Sequence, residues 1–138
     1  MGRSALLLVD VQNDFCPGGA LAVPEGDRIV PVINEYITRF ERGGLPIFAS
    51  RDWHPPETRH FQAGGGPWPS HCVRNSPGAA FHPHMRLPDQ AVVVTKGTDP
   101  VDDGYSALEA TDAAGRRLPE RLQEEHVDRL FVGGLATD

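Results

Sequence analysis

The sequence predicts an α/β fold, a doubly wound parallel sheet in a single domain over residues 1–138. Two observations carry this. Its apolar segments are continuous runs, as in strands buried on both faces. They are ordered strand, helix, strand, strand, helix, strand, which suits parallel strands joined by crossover connections. Ala5-Leu6-Leu7-Leu8-Val9 is the first run. The second element is a helix from Arg28 to Arg42, capped by Asp27, with Ile29, Val32, Ile33, Tyr36, Ile37 and Phe40 forming one apolar stripe. Gly43-Gly44 stops it. Leu45-Pro46-Ile47-Phe48-Ala49 is a strand in which Pro46 suits only the first positions. A long loop from Arg51 to about Pro88 precedes a third strand, Ala91 to Thr95. A short helix from Leu118 to His126 and a strand from Arg129 to Val132 complete the pattern, ending at Gly133-Gly134.

Composition excludes several classes of function. The 138 residues carry a net charge of −6 without a basic stripe, which argues against nucleic acid as a partner. No apolar run approaches the ~20 residues of a membrane-spanning helix, and the apolar stretch near Met1 is too short for a signal peptide. Two cysteines, Cys16 and Cys72, in an acidic, Leu/Val-rich chain fit a reducing cytoplasm better than a disulfide framework. A small-molecule substrate is the expected partner, and the chain is compatible with a homo-oligomer.

Ligands of doubly wound sheets bind beyond the carboxyl ends of the strands. The polar residues there are Asp10, Asp52 with His54, Lys96, and the Leu135-Ala136-Thr137-Asp138 terminus. In extended chain Asp52 and His54, two residues apart, point to the same side and could share a metal ion. His60 and His71 lie in the same loop and could complete the site. Such a set suits zinc, iron or manganese. The ordinary reading of Asp10 and Lys96 is an ion pair at the sheet rim. A catalytic reading needs a thiol between them, which the carboxylate deprotonates and the ammonium stabilises. Neither Cys16 nor Cys72 opens a predicted helix, where the dipole would activate it, and both read as packing residues.

Further motifs narrow the choice. Asp10-Val11-Gln12-Asn13-Asp14-Phe15-Cys16-Pro17-Gly18-Gly19-Ala20-Leu21 resembles the opening of bacterial nicotinamidases, within the isochorismatase-like hydrolase superfamily. Asp52-Trp53-His54, Trp68-Pro69-Ser70-His71-Cys72-Val73, Phe81-His82-Pro83, Lys96-Gly97-Thr98, Asp103-Gly104-Tyr105-Ser106 and Gly134-Leu135-Ala136-Thr137-Asp138 follow in the family's order. The resemblance implies an isochorismatase-like hydrolase fold. It also implies a metal-containing cysteine amidohydrolase converting nicotinamide to nicotinate and ammonia through a thioester, in NAD salvage.

Position by position, the resemblance makes Asp10 and Lys96 two members of an Asp-Lys-Cys triad. Asp52, His54 and His71 bind a divalent metal, with His60 as a fourth ligand; zinc is the first choice, then iron or manganese. Phe15 and Trp68 sandwich the substrate ring, and Tyr105 lines the pocket. A cis peptide at Leu135–Ala136 turns the Ala136 amide towards the oxyanion. The family's cysteine comes two residues after the Asp matching Asp138. The resemblance therefore places the nucleophile, the helix behind it and the last strands of the sheet beyond this chain. Two readings compete with nicotinamide hydrolysis. One is a relative acting on isochorismate or an N-carbamoyl amine, many of which lack the metal ligands. The other is a non-catalytic fragment that binds metal or ligand.

Overall fold

The fold was obtained as a computed structural model, which describes residues 2–102 and 104–137. Asp103 and Asp138, which belong to motifs quoted above, lie outside the described residues. Six regular elements follow in chain order: β1 (Arg3–Val9), α1 (Val30–Arg42), β2 (Ile47–Asp52), β3 (Val92–Lys96), α2 (Leu118–Glu124) and β4 (Val127–Gly134). The four strands form one sheet in the order β3-β2-β1-β4. Every pairing is parallel, with Leu7 opposite Phe48 and Val132, and Ser50 opposite Val94. Among the described residues no helix is long and apolar enough to cross a membrane.

The continuous apolar run of β1 is explained by what covers it. Leu6 and Leu8 point to one face and pack with Val30, Ile33, Ile37 and Phe40 of α1. Ala5, Leu7 and Val9 point to the other and pack with Phe48 and with Leu118 of α2. Successive side chains of a strand alternate faces, so a strand with helices on both sides has no polar face.

Several boundaries differ from the sequence expectation, those of α1 and β4 among them. Residues Gly26–Ile29 form a separate 3₁₀ turn, and α1 begins only at Val30 with Pro31 in its first turn, a position where the missing proline N–H costs nothing. Asp27 makes no side-chain capping bond to α1. β4 is longer than expected because its pairing with β1 continues from Arg3 to Val9. It is also less covered than a central strand, with Phe131 and Val132 exposed.

The long loop after β2 is ordered by its own short contacts. His54 bridges to Val73, Phe61 to Trp68, and Gln12 to Phe81. Phe61 is almost fully buried, and its ring centroid lies 5.4 Å from those of both His54 and His71. It is the apolar floor against which the loop histidines are assembled.

Candidate active site

Asp10 is the first residue past β1, Asp52 ends β2 and Lys96 ends β3, so three neighbouring strands deliver these side chains to one end of the sheet. Asp10 adopts a left-handed backbone (φ 52°), which breaks the alternation of the strand just where its side chain is needed. All three residues are buried. Lys96 Nζ donates to Asp10 Oδ2 at 2.9 Å and also to Asp52 Oδ1. Asp10 Oδ1 accepts from the Ser50 hydroxyl at 2.8 Å.

This shared lysine decides the electrostatics. Burial pushes the Asp10 carboxyl above its ordinary value of 3.8; Lys96 pulls it down, and the neighbouring charge of Asp52 adds to the upward push. For Asp52 burial also acts upward, but the adjoining His54 and His71 side chains and the Lys96 charge outweigh it and hold that carboxyl below its ordinary range. Burial opposes the charge of Lys96, yet its two carboxylates keep it raised above 10.5. Lys96 lowers both carboxylates, and burial at Asp10 with the histidines beside Asp52 leaves Asp10 the more basic of the pair.

Asp52 Oδ2 faces His54 Nε2 at 3.5 Å and His71 Nε2 at 3.7 Å. The expectation that Asp52 and His54 converge from extended chain matches this placement. His54 Nδ1 lies 3.0 Å from the Gly97 carbonyl and His71 Nδ1 lies 2.8 Å from the Pro69 carbonyl. A carbonyl only accepts, so both Nδ1 atoms carry the proton and both Nε2 lone pairs point inward. Among the described residues His54 Nε2 is buried without a hydrogen-bond partner. His60 is brought alongside by Thr58, whose buried hydroxyl donates to the Pro100 carbonyl and accepts from the His60 N–H. One ligand nitrogen from each of His54, His60 and His71 lies within 4.8 Å of the others. An orphaned imidazole nitrogen at the convergence of three histidines and a carboxylate fits a divalent cation of the nitrogen- and oxygen-preferring kind.

Gly97 makes this packing possible. Its φ is 69°, and a Cβ there would stand 2.5 Å from His54 Cε1. Only glycine combines that backbone with so close an approach.

These groups open onto a cavity of about 370 Å³ lined also by Phe15, Trp68, Tyr105 and Ala136. That volume suits a small organic ligand. Phe15 is buried with its ring 5.7 Å from that of His71, whereas Trp68 is 39% and Tyr105 71% exposed, which places them towards the mouth. Leu21, Ala22, Val23 and Pro24 form an apolar wall that the sequence reading did not single out.

The Leu135–Ala136 peptide corrects an expectation. Among the described residues no peptide bond is cis. The chain turns instead through Ala136 at φ 47°. A single left-handed non-glycine residue costs about 1–2 kcal/mol, less than the roughly 3–4 kcal/mol of a cis bond.

Both cysteines are buried free thiols. Both pack in a cluster with Phe15, Ala79 and Leu135. Burial raises the thiol pKa of each, and the carboxylates around Cys72 raise it further.

Sequence reasoning also missed Gln12. It is fully buried, donates to the carbonyls of Asp52 and Ala79 at 2.8 Å each, and accepts from the Asp52 N–H at 2.9 Å. Its place in the Asp10–Leu21 motif just past β1 was the available signal. Gln12→Glu leaves two buried carbonyls without donors and adds a third buried carboxylate. It is expected to destabilise the fold by at least about 2 kcal/mol in urea denaturation. A change under ~0.5 kcal/mol would show that the strut is dispensable.

A family model described as the isochorismatase domain matches residues 4–138. The chain belongs to the isochorismatase family. This isochorismatase-family chain is 45% identical over 157 residues to the nicotinamidase of Escherichia coli (strain K12), an alignment covering 100% of this chain and 72% of that protein. Its structure resembles the pyrazinamidase of Pyrococcus horikoshii in complex with zinc, with 46% identity, a TM-score of 0.88, and coverage of 96% of this chain and 70% of that one. It also resembles PnC1 from L. infantum in complex with nicotinate, with 32% identity, a TM-score of 0.82, and coverage of 97% and 67%. The protein is accordingly an enzyme of the isochorismatase family, an amide hydrolase.

Proposed function

We propose that the protein hydrolyses nicotinamide to nicotinate and ammonia, in NAD salvage within the cytoplasm. The observation that carries this reading is the sharing of Lys96 between Asp10 and Asp52. It joins a buried acid–base pair to a three-histidine cluster at the floor of one cavity. Similarity to a nicotinamidase and to a nicotinate-bound structure supports the choice of substrate.

Asp52, His54, His60 and His71 would hold a divalent metal, zinc by preference. When bound, it supplies a Lewis-acid contact for the pyridine nitrogen. Phe15 and Trp68 hold the two faces of the ring, each stacking contact contributing about 0.5–1.5 kcal/mol. Asp10 accepts the proton of the attacking thiol, and Lys96 stabilises the thiolate. That thiol is the one the family resemblance places two residues past Asp138. The thiolate adds to the carboxamide carbon, and backbone amides, that of Ala136 among them, receive the oxyanion. Asp10 then returns its proton to the departing ammonia, and water cleaves the thioester to release nicotinate.

Tryptophan fluorescence tests the ligand half. Nicotinamide should quench the emission with a single-site curve, and Phe15→Ala should weaken binding roughly two- to tenfold. Benzamide, which lacks the ring nitrogen, should bind the metal-loaded protein more weakly than nicotinamide does and the metal-free protein equally well. Equal affinity for both compounds on the metal-loaded protein would remove the ring nitrogen from recognition.

A further inference from the structure

Ser50 is the one hydroxyl among the buried residues of β2, in the run Ile47-Phe48-Ala49-Ser50. It is 0% exposed. A buried hydroxyl must find a partner, and its partner here is Asp10. Two bonds join these residues. The Asp10 N–H donates to the Ser50 carbonyl at 3.1 Å, and the Ser50 hydroxyl donates to Asp10 Oδ1 at 2.8 Å. The terminal torsion of an aspartate is broad, so a single contact does not fix the plane of its carboxylate. Lys96 holds Oδ2 and Ser50 holds Oδ1, and together they fix that plane.

We propose that Ser50 is a positioning residue for Asp10, its hydroxyl fixing the carboxylate plane so that one edge stays against Lys96 and the other towards the reacting proton. The proposal rests on the reading of Asp10 as the proton-transfer group. Ser50 is not among the residues lining the cavity and its hydroxyl is bonded to Asp10, so it acts through Asp10. Its loss lowers the rate of proton transfer and leaves ring binding and metal loading as they are.

The test compares full-length, metal-loaded Ser50→Ala, Ser50→Thr and Ser50→Cys with Asp10→Asn. Ser50→Ala is expected to lower kcat roughly tenfold with KM and metal content unchanged. Ser50→Thr keeps the hydroxyl and should recover most of that loss. Ser50→Cys keeps the size but offers only a weak donor, and should resemble alanine even if the alanine variant folds poorly. Ser50→Ala or Ser50→Cys with kcat within about twofold of the parent, beside an inactive Asp10→Asn, would overturn the role of Ser50 alone. An active Asp10→Asn would overturn it together with the proton-transfer role of Asp10.

Discussion

Asp10→Asn is expected to lower kcat by about 10²–10⁴-fold while bound metal stays at its parent level. The amide occupies the place of the carboxylate but cannot take the thiol proton. The metal content should hold because Asp10 reaches the histidine cluster only through Lys96 and Asp52. A pH effect accompanies this. Proton acceptance needs the ionised carboxylate, and burial places the Asp10 value above 3.8, so the acid limb of kcat should lie above pH 3.8. Stability follows the same shift with its own sign. In the window between 3.8 and the raised native value the folded state binds the extra proton, so this group's contribution falls as pH rises through that window. Asp52 works in the opposite sense, and its contribution is lost as pH falls below 3.8. Turnover by Asp10→Asn within about tenfold of the parent would take Asp10 out of the chemistry.

His71→Ala should abolish stoichiometric metal binding and, with it, selective recognition of the pyridine nitrogen. Three imidazoles and one carboxylate form a minimal set, and removing one leaves Asp52 Oδ2 and the orphaned His54 Nε2 without their common partner. Metal analysis of the dialysed variant reads this directly. In the parent, a metal that binds only the folded state at a hundredfold excess over its Kd should stabilise the protein by about 2.7 kcal/mol. That increment should vanish in His71→Ala. A variant that retains metal at the parent level would show that the cluster is not the site.

The sheet was legible because its strands are buried on both faces and read as unbroken apolar runs. Asp10, Asp52 and Lys96 were legible because ligands of such sheets bind beyond the carboxyl ends of the strands, where these residues fall. The Asp52–His54 spacing carried its own geometry, since alternate residues of an extended chain share a side. What stayed hidden depended on contacts between distant segments. The division of Lys96 between two carboxylates needs the strand order, which brings β1, β2 and β3 side by side. Attraction by Lys96 alone would lower the Asp10 pKa, and burial and Asp52 turn its direction upward. The partners of Gln12 and Ser50 are invisible until Asp52 and Asp10 are placed beside them. The start of α1 was read too early because the apolar stripe begins at Ile29, while Pro31 sets the first turn of the helix.

Ammonia release from nicotinamide by the purified, metal-loaded protein, with nicotinate quantified in the same sample, tests the central claim most directly. Ammonia and nicotinate should appear in equal amounts. Intact nicotinamide after incubation with metal-loaded protein whose measured mass includes the attacking cysteine would contradict it.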